Sequence, residues 1–355
     1  DRKLWIDDVA VHGSFSADTT PPIVDTLFPT GLSSIEIHFN ESILANENFS
    51  LSWKGTPPAA CKVSNRMITA SFSESFPNRI QQSLTLSGLE DTDGNRMQDT
   101  VLNFILERAE FGDVIINEIM SDPAPVIYLP DCEYLELYNR YTESFSLNGW
   151  SLDVNGRTIS LDEAEIAAGG YLLIIPGGYA SYFRDIQAVE ALPSATIFAN
   201  AGGSIRLFDK HGLLVHIADY LSLELYDEGK ADGGWSIENK TPGILCGGSA
   251  IWMISENWRG GTPGAKNDKL IEASDSDPPE FIFPGMEGDT MLCLNYNEYV
   301  FLPEAVSTLF SINDQHIPAF YRTTPEVTKT IQIPLSGQVA TDFQFLSAVD
   351  SSSGL

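Results

Sequence analysis

Val114-Ile-Ile-Asn-Glu-Ile-Met120 and Glu133-Tyr-Leu-Glu-Leu-Tyr-Asn139 decide the fold. Each is a short run rich in β-branched, aromatic and aliphatic residues, bounded by turn formers, which is how strands read in a sequence. Working outward, Leu147-Asn-Gly-Trp-Ser-Leu152, Ala168-Gly-Gly-Tyr-Leu-Leu-Ile-Ile-Pro176 and Gly234-Trp-Ser-Ile-Glu238 repeat the pattern, and Gly260-Gly-Thr-Pro-Gly-Ala-Lys-Asn267 closes it. Asn148-Gly149 and Asn155-Gly156 carry the dipeptide of two-residue hairpins. Period two places Leu135 and Leu137 on one strand face, and Tyr134, Glu136 and Tyr138 on the other. Residues 205–216 read as a hairpin with its tip at Asp209 to Gly212. The spacing of Tyr179, Phe183 and Ile186 predicts one short helix within residues 177–189.

These motifs, in this order across residues 111–268, resemble the lamin-tail domain in the form found in bacterial envelope proteins. The resemblance implies an immunoglobulin-like β-sandwich and names no reaction.

The flanks are also β-rich. Residues 1–16, around Leu4-Trp-Ile-Asp-Asp-Val-Ala-Val11, read as one strand. It is either the last strand of an upstream domain, similar to the closing strand of jelly-roll modules in Bacteroidetes surface proteins, or an extra edge strand of the next domain. Asp18-Thr-Thr-Pro-Pro22 is a stiff linker, because each proline fixes its own φ and restricts the residue before it. Leu32 to Phe39 alternates with period two, and Ser83 to Ser87 and Thr100 to Leu106 supply later strands. With Phe39-Asn-Glu-Ser-Ile43 and Asp91-Thr-Asp-Gly-Asn95, this segment resembles the bacterial Ig-like repeats of surface-layer and adhesin proteins. A second copy follows: Pro22 and Glu41 in the first match Pro279 and Glu298 in the second, and residues 86–95 align with 346–355 without a gap. The second copy stops where the first runs on into its last strand, so the expectation is that this strand lies beyond Leu355 or comes from elsewhere. The organisation expected is therefore all-β: residues 1–19 a terminal strand and linker, 20–110 an Ig-like domain, 111–268 a lamin-tail sandwich, 269–355 a second Ig-like domain.

Composition narrows the function. The 355 residues include 49 acidic and 20 basic side chains, a net charge of −29, and the central stretch holds 22 acidic against 9 basic. Such a field repels nucleic-acid phosphates and anionic lipid, so no nucleic-acid partner is expected. No apolar run approaches 18 residues, so direct membrane insertion is not expected either. The chain opens on Asp1 with no apolar leader, which reads as a mature or trimmed form. Cys61, Cys132, Cys246 and Cys293 form no CxxC pair, which excludes a zinc knuckle. Cys132 and Cys246 share a domain and are either a disulfide or two buried thiols.

The five histidines, His12, His38, His211, His216 and His316, show no ligand spacing. Asp91, Asp93, Asn95 and Asp99 place oxygens like the start of a calcium loop. Leu102, however, stands where that loop needs a bidentate Glu, and a tight Asp-Gly-Asn turn explains the same residues. Ca2+ is the one cofactor considered. Glu118 and Glu136 could be paired for acid–base work, against the ordinary reading of acidic residues on a solvated strand face. Trp235, Trp252 and Trp258 are the binding candidates, because exposed tryptophan anchors proteins or stacks on sugar rings; the competing reading plugs them into the end of the sandwich. The function expected is a non-catalytic cell-surface or secreted protein with a protein or cell-surface glycan partner. The alternative is an accessory region of a larger secreted hydrolase of nuclease or phosphatase type.

Overall fold

The computed structural model describes residues 18–245, 248–271, 278–287 and 291–302, and the strand segments 310–312, 315–316, 326–334, 343–345 and 349–350. The terminal strand expected over residues 1–16 and most of the alignment of 346–355 lie outside the described residues. The chain is all-β and forms two compact units, Asp1–Arg108 and Ala109–Leu355.

Among the described residues of the first unit, seven strands form two sheets: β1 (Val24–Pro29), β2 (Ser34–Phe39), β3 (Leu44–Trp53), β4 (Ala60–Ser64), β5 (Met67–Ser71), β6 (Gln82–Glu90) and β7 (Thr100–Phe104). One sheet runs β1-β2-β5-β4 and the other β3-β6-β7. The alternation read in the sequence is what packs them: Ile35, Ile37 and Phe39 from one sheet meet Leu51, Trp53, Leu84 and Leu86 from the other. Trp53 lies at the centre, edge-on to Phe76 at 4.9 Å between ring centroids, and its indole N–H donates to Gln82 Oε1 at 3.0 Å.

The second unit opens with the sandwich that the central motifs announce. Its strands are β8 (Val114–Met120), β9 (Tyr134–Asn139), β10 (Phe145–Ser146), β11 (Ser151–Val154), β12 (Arg157–Ser160), β13 (Glu165–Ile166) and β14 (Tyr171–Pro176). They continue with β15 (Ala188–Leu192), β16 (Gly202–Phe208), β17 (Leu214–Leu221), β18 (Ile237–Asn239) and β19 (Trp252–Ile254). A six-stranded sheet, β15-β14-β9-β8-β18-β19, packs on a four-stranded one, β12-β11-β16-β17, with β10 and β13 paired to the side. Between them lies a core that includes Ile116, Ile119, Leu135, Leu137, Trp150, Leu152, Ile205 and Leu207. Asn155-Gly156 turns β11 into β12 with φ of 52° and 86°, the conformation asparagine and glycine tolerate best.

Three expectations change. Asn148-Gly149 makes a turn but not a hairpin, because β10 pairs with β13 while β11 pairs with β12 and β16. The helix expected in residues 177–189 is one 3-10 turn, Ala180–Tyr182, followed by β15 running parallel to β14. Glu190 on β15 reaches back to accept the Gly178 and Ala180 amides, and this holds the segment as a turn before a strand. Finally, the six-stranded sheet is buried on both faces. Tyr134, Leu173, Ile175 and Phe183 form a second small core on its outer side, so period two across β9 separates two interiors rather than interior from solvent.

The unit ends in further strands, β20 (Phe281–Glu287) and β21 (Met291–Leu302), with β21 also paired to Glu326–Pro334. The sequence repeat is repeated in geometry. In the first copy Val24 pairs with Phe39, and the register slips between Val24 and Thr26; in the second Phe281 pairs with Tyr296, and it slips between Phe281 and Phe283. Asn40 Oδ1 accepts the Ile23 amide at 2.7 Å, and Asn297 Oδ1 accepts the Glu280 amide at 2.8 Å. Both asparagines return a backbone bond to the same residue.

Trp53→Ala removes the ring at the centre of the first core and leaves Gln82 without its donor. The expected loss is about 3–5 kcal/mol from the stability of residues 18–108, read by denaturant unfolding.

Candidate functional site

The site is built on a row of glutamates. Plain alternation along β8 would put Glu118 on the face of Val114 and Ile116. Asn117 instead forms a bulge, with Ile116 opposite Leu137 and Glu118 opposite Glu136. After the bulge Ile119 returns to the core and Glu118 points to the outer side of the sheet. Glu238 on β18 pairs with Glu118 from the other flank. Three carboxylates thus stand in line across β9, β8 and β18. The expectation that Glu118 and Glu136 lie on a solvated face is overturned: both are 0 % exposed, and Glu238 is 1 %.

Like charges opposite one another in a sheet repel, and buried ones cost more. The segment 255–268 covers the row and supplies donors. Glu118 Oε1 accepts from Tyr134 Oη and Ser236 Oγ at 2.6 Å each and from the Thr262 amide at 2.9 Å. Glu136 accepts from Asn117 Nδ2 at 2.9 Å and from the Gly264 amide. Glu238 accepts from Thr262 Oγ1 at 3.0 Å and the Asp268 amide at 3.2 Å. Among the described residues no Lys, Arg or His bonds to any of the three, so the row is harder to ionise than exposed glutamates. Burial and then the charge of Glu238 push Glu118 up to about 7. Burial and then Glu118 hold Glu136 well above the ordinary carboxylate range, and burial raises Glu238. Gly261 belongs to this seal, since a Cβ there would strike Glu118 Oε1 and Tyr134 Oη. Sealed in this way, Glu118 and Glu136 face no cleft where a substrate could reach them.

The same loop carries Trp258. Its neighbours Gly233, Gly234 and Gly260, with φ of 100°, 80° and 95°, stack three backbone segments so closely that a Cβ would collide with Ala124 O, Pro125 O and Gly234 O respectively. Gly234 N donates to Asp122 O at 2.7 Å and Ser236 N to Gly260 O at 2.8 Å. Asn257 Oδ1 accepts the Arg259 amide at 3.1 Å, which fixes the turn that presents Trp258. Trp258 is 68 % exposed and meets Tyr128, 61 % exposed, edge-on at 4.9 Å. Arg259 lies over the Tyr128 ring at 5.4 Å. Val126 and Ile127 extend the exposed apolar surface.

The structure separates the three candidate tryptophans. Trp252 is 2 % exposed and part of the core, as the plugging interpretation requires. Trp235 is half-buried against that core with Lys230 over its ring at 3.9 Å. Tyr128 and Arg259 join Trp258, and the sequence gives no periodic signal for them because both sit on loops.

Asp91, Asp93, Asn95 and Asp99 are arranged as a turn. Asp91 Oδ1 accepts the Asp93 and Asn95 amides at 2.8 Å each, and Oδ2 accepts Asn95 Nδ2 at 2.7 Å. Asp93 and Asp99 are exposed. Asp91 instead shares a neighbourhood with Asp18 and Glu41, whose carboxylate oxygens all lie within 4.8 Å of one another. Cys132 is buried, and its thiol is pushed up to about 12 by burial and then Asp131; Cys246 lies outside the described residues. His216 is buried in the sandwich and accepts the Ile116 amide at 3.1 Å, which requires a neutral ring.

Stability should depend on pH in a defined direction. Glu118 and Glu133 each rise from 4.5 to about 7 on folding, chiefly by burial, so their contribution is complete below 4.5 and lost as pH climbs through 7. His216 is lowered from 6.5 to about 3 by burial and then by Arg140, so its contribution is complete above 6.5 and lost on acidification towards 3. With two carboxylates against one imidazole, the second unit should melt highest near pH 5 and lower at pH 8. Glu118→Gln keeps an acceptor for Tyr134 and Ser236 and should flatten that decline, as calorimetry at a series of pH values would show.

Residues 107–222 match the family model described as Lamin Tail Domain. No curated protein matches the sequence. Among solved structures, the N-terminal part of the bacterial S-layer protein SbsC is 14% identical with a TM-score of 0.26, over 57% of this chain and 44% of that one. A DUF4876 family protein from Bacteroides thetaiotaomicron is 12% identical with a TM-score of 0.26, over 57% of this chain and 83% of that one. The Bacteroides ovatus protein SGBP-B, solved with a mixed-linkage heptasaccharide, is 10% identical with a TM-score of 0.18, over 87% and 65%. The chain thus spans less than half the length of the SbsC fragment it resembles. The family match falls on β8 to β17 of this sandwich, so residues 107–222 carry a lamin tail domain.

Proposed function

We propose that this chain is a non-catalytic protein of the cell surface or secreted space, in which the lamin tail domain attaches or presents a protein or glycan partner. Ig-like domains over residues 20–110 and 269–355 flank it in this reading. The observation that carries the proposal is the platform of Trp258, Tyr128 and Arg259: large, exposed and held on a loop whose backbone is locked by stacked glycines and buried carboxylates. Trp, Tyr and Arg dominate binding energy wherever proteins meet, and a rigid mount reduces the entropy lost on binding. The alternative use of this domain's acidic residues, acid–base chemistry, lacks access to solvent at Glu118 and Glu136. Among the described residues no helix is long and apolar enough to cross a membrane.

The test is retention of the purified chain on cell-envelope fractions and on immobilised glycans. Trp258→Ala should weaken binding by about thirtyfold, the size of a loss of about 2 kcal/mol, with an unchanged melting temperature. Equal retention of Trp258→Ala and Tyr128→Ala with the parent chain would remove the platform as the contact.

A further inference from the structure

The far end of the loop that seals the glutamates borders a cleft of about 400 Å³, lined by residues that include Tyr138, Arg140, Tyr171, Pro242, Lys266 and Leu270. That volume lies within the roughly 300–1,000 Å³ of small-molecule sites. Its chemistry departs from the rest of the chain. The surrounding stretch carries 22 acidic and 9 basic residues, yet two of the nine line this cleft and no carboxylate does. Asp113 acts on the charge of Arg140 from outside this lining. Glu136, beneath Asn117, is buried under a hydrogen bond.

The cations and the aromatics are placed by the strands. Tyr138 on β9 pairs in register with Tyr171 on β14, and their rings stack at 4.8 Å with 22° between planes. Both are partly exposed to the cleft. Arg140 follows β9 directly, and its Nη1 donates to Gly112 O at 3.0 Å, which orients the guanidinium. Lys266 is exposed and makes no ion pair among the described residues. The floor is rigid: Asn117 Nδ2 donates to Asn267 Oδ1 at 2.8 Å, and Asn267 Nδ2 returns to Asn117 Oδ1 at 3.2 Å.

We propose that this cleft binds a carboxylate-bearing sugar, a hexuronate unit of an anionic glycan. The stacked tyrosines offer a flat apolar edge and two hydroxyls to a pyranose ring, while Arg140 and Lys266 meet its carboxylate. Two cations balance one carboxylate. A ligand of many closely spaced phosphates would meet the field of a −29 chain beyond these two groups. Screening confines that field to about 8 Å at physiological salt, which leaves the local pair in control of the one carboxylate that enters the cleft. The site is separate from the Trp258 platform, so either can fail without the other.

The experiment is a calorimetric or NMR titration of the whole chain with a trimeric hexuronate, with a neutral glucose trimer and with acetate. The hexuronate should bind more tightly than about 10 mM, and Lys266→Gln and Arg140→Gln should each weaken it by at least about tenfold. Lys266 is exposed, so its variant should keep the parent melting temperature, whereas Trp258→Ala should keep hexuronate affinity. Binding should also weaken as salt is raised. Absence of hexuronate binding, equal binding of the neutral trimer, or equal binding of acetate would each overturn the proposal.

Discussion

Three glutamates with no cation bonded to them among the described residues are the constraint on which the central sandwich is arranged. A buried carboxylate needs donors or a proton, and Glu118, Glu136 and Glu238 obtain donors from what covers them. Thr262 bonds two of the three, Gly264 bonds the third through its amide, and Gly261 has no side chain so that the backbone can come close. The Gly-Gly-Thr-Pro-Gly segment is therefore a lid fitted to the row rather than a flexible connection. Remote residues become neighbours through it, because Thr262 and Glu118 are 144 positions apart in the chain.

That arrangement explains why the domain presents chemistry at the two ends of one loop and none in the middle. The centre is spent on closing the sheet. At one end the loop emerges as Trp258 and Arg259 against Tyr128; at the other it emerges as Lys266 beside Tyr138 and Arg140. Polar groups inside a sandwich ordinarily mark a defect or an active centre. Here they fix the outer loop to the sheet, a use of buried hydrogen bonds for specificity of structure.

The strands and their order were legible because periodicity and turn dipeptides act locally: Asn155-Gly156 turns β11 into β12 on its own chemistry. The fate of Glu118 was not legible. It depends on the bulge at Asn117, which shifts the alternation by one residue, and a sequence of mixed polar and apolar residues accommodates either register. Glu136 needed no bulge, but its burial depends on a loop more than a hundred residues away. The segment 177–189 failed for a different reason, since the spacing of Tyr179, Phe183 and Ile186 suits a single turn as well as a helix. Trp252 and Trp258 are six residues apart and differ only in that one falls on a strand and the other on a turn.

The two sequence copies share more than an echo. In each, an asparagine, Asn40 just after β2 and Asn297 within β21, grips the residue just before the first strand, by side chain and by backbone. The residues gripped, Ile23 and Glu280, each come directly after a Pro-Pro pair in the chain. A pull arriving from upstream therefore meets this double fastening before it reaches the strand ladder. The asparagine works as a strain relief, like the clamp where a cable enters its housing, and the clamp is present where both copies begin.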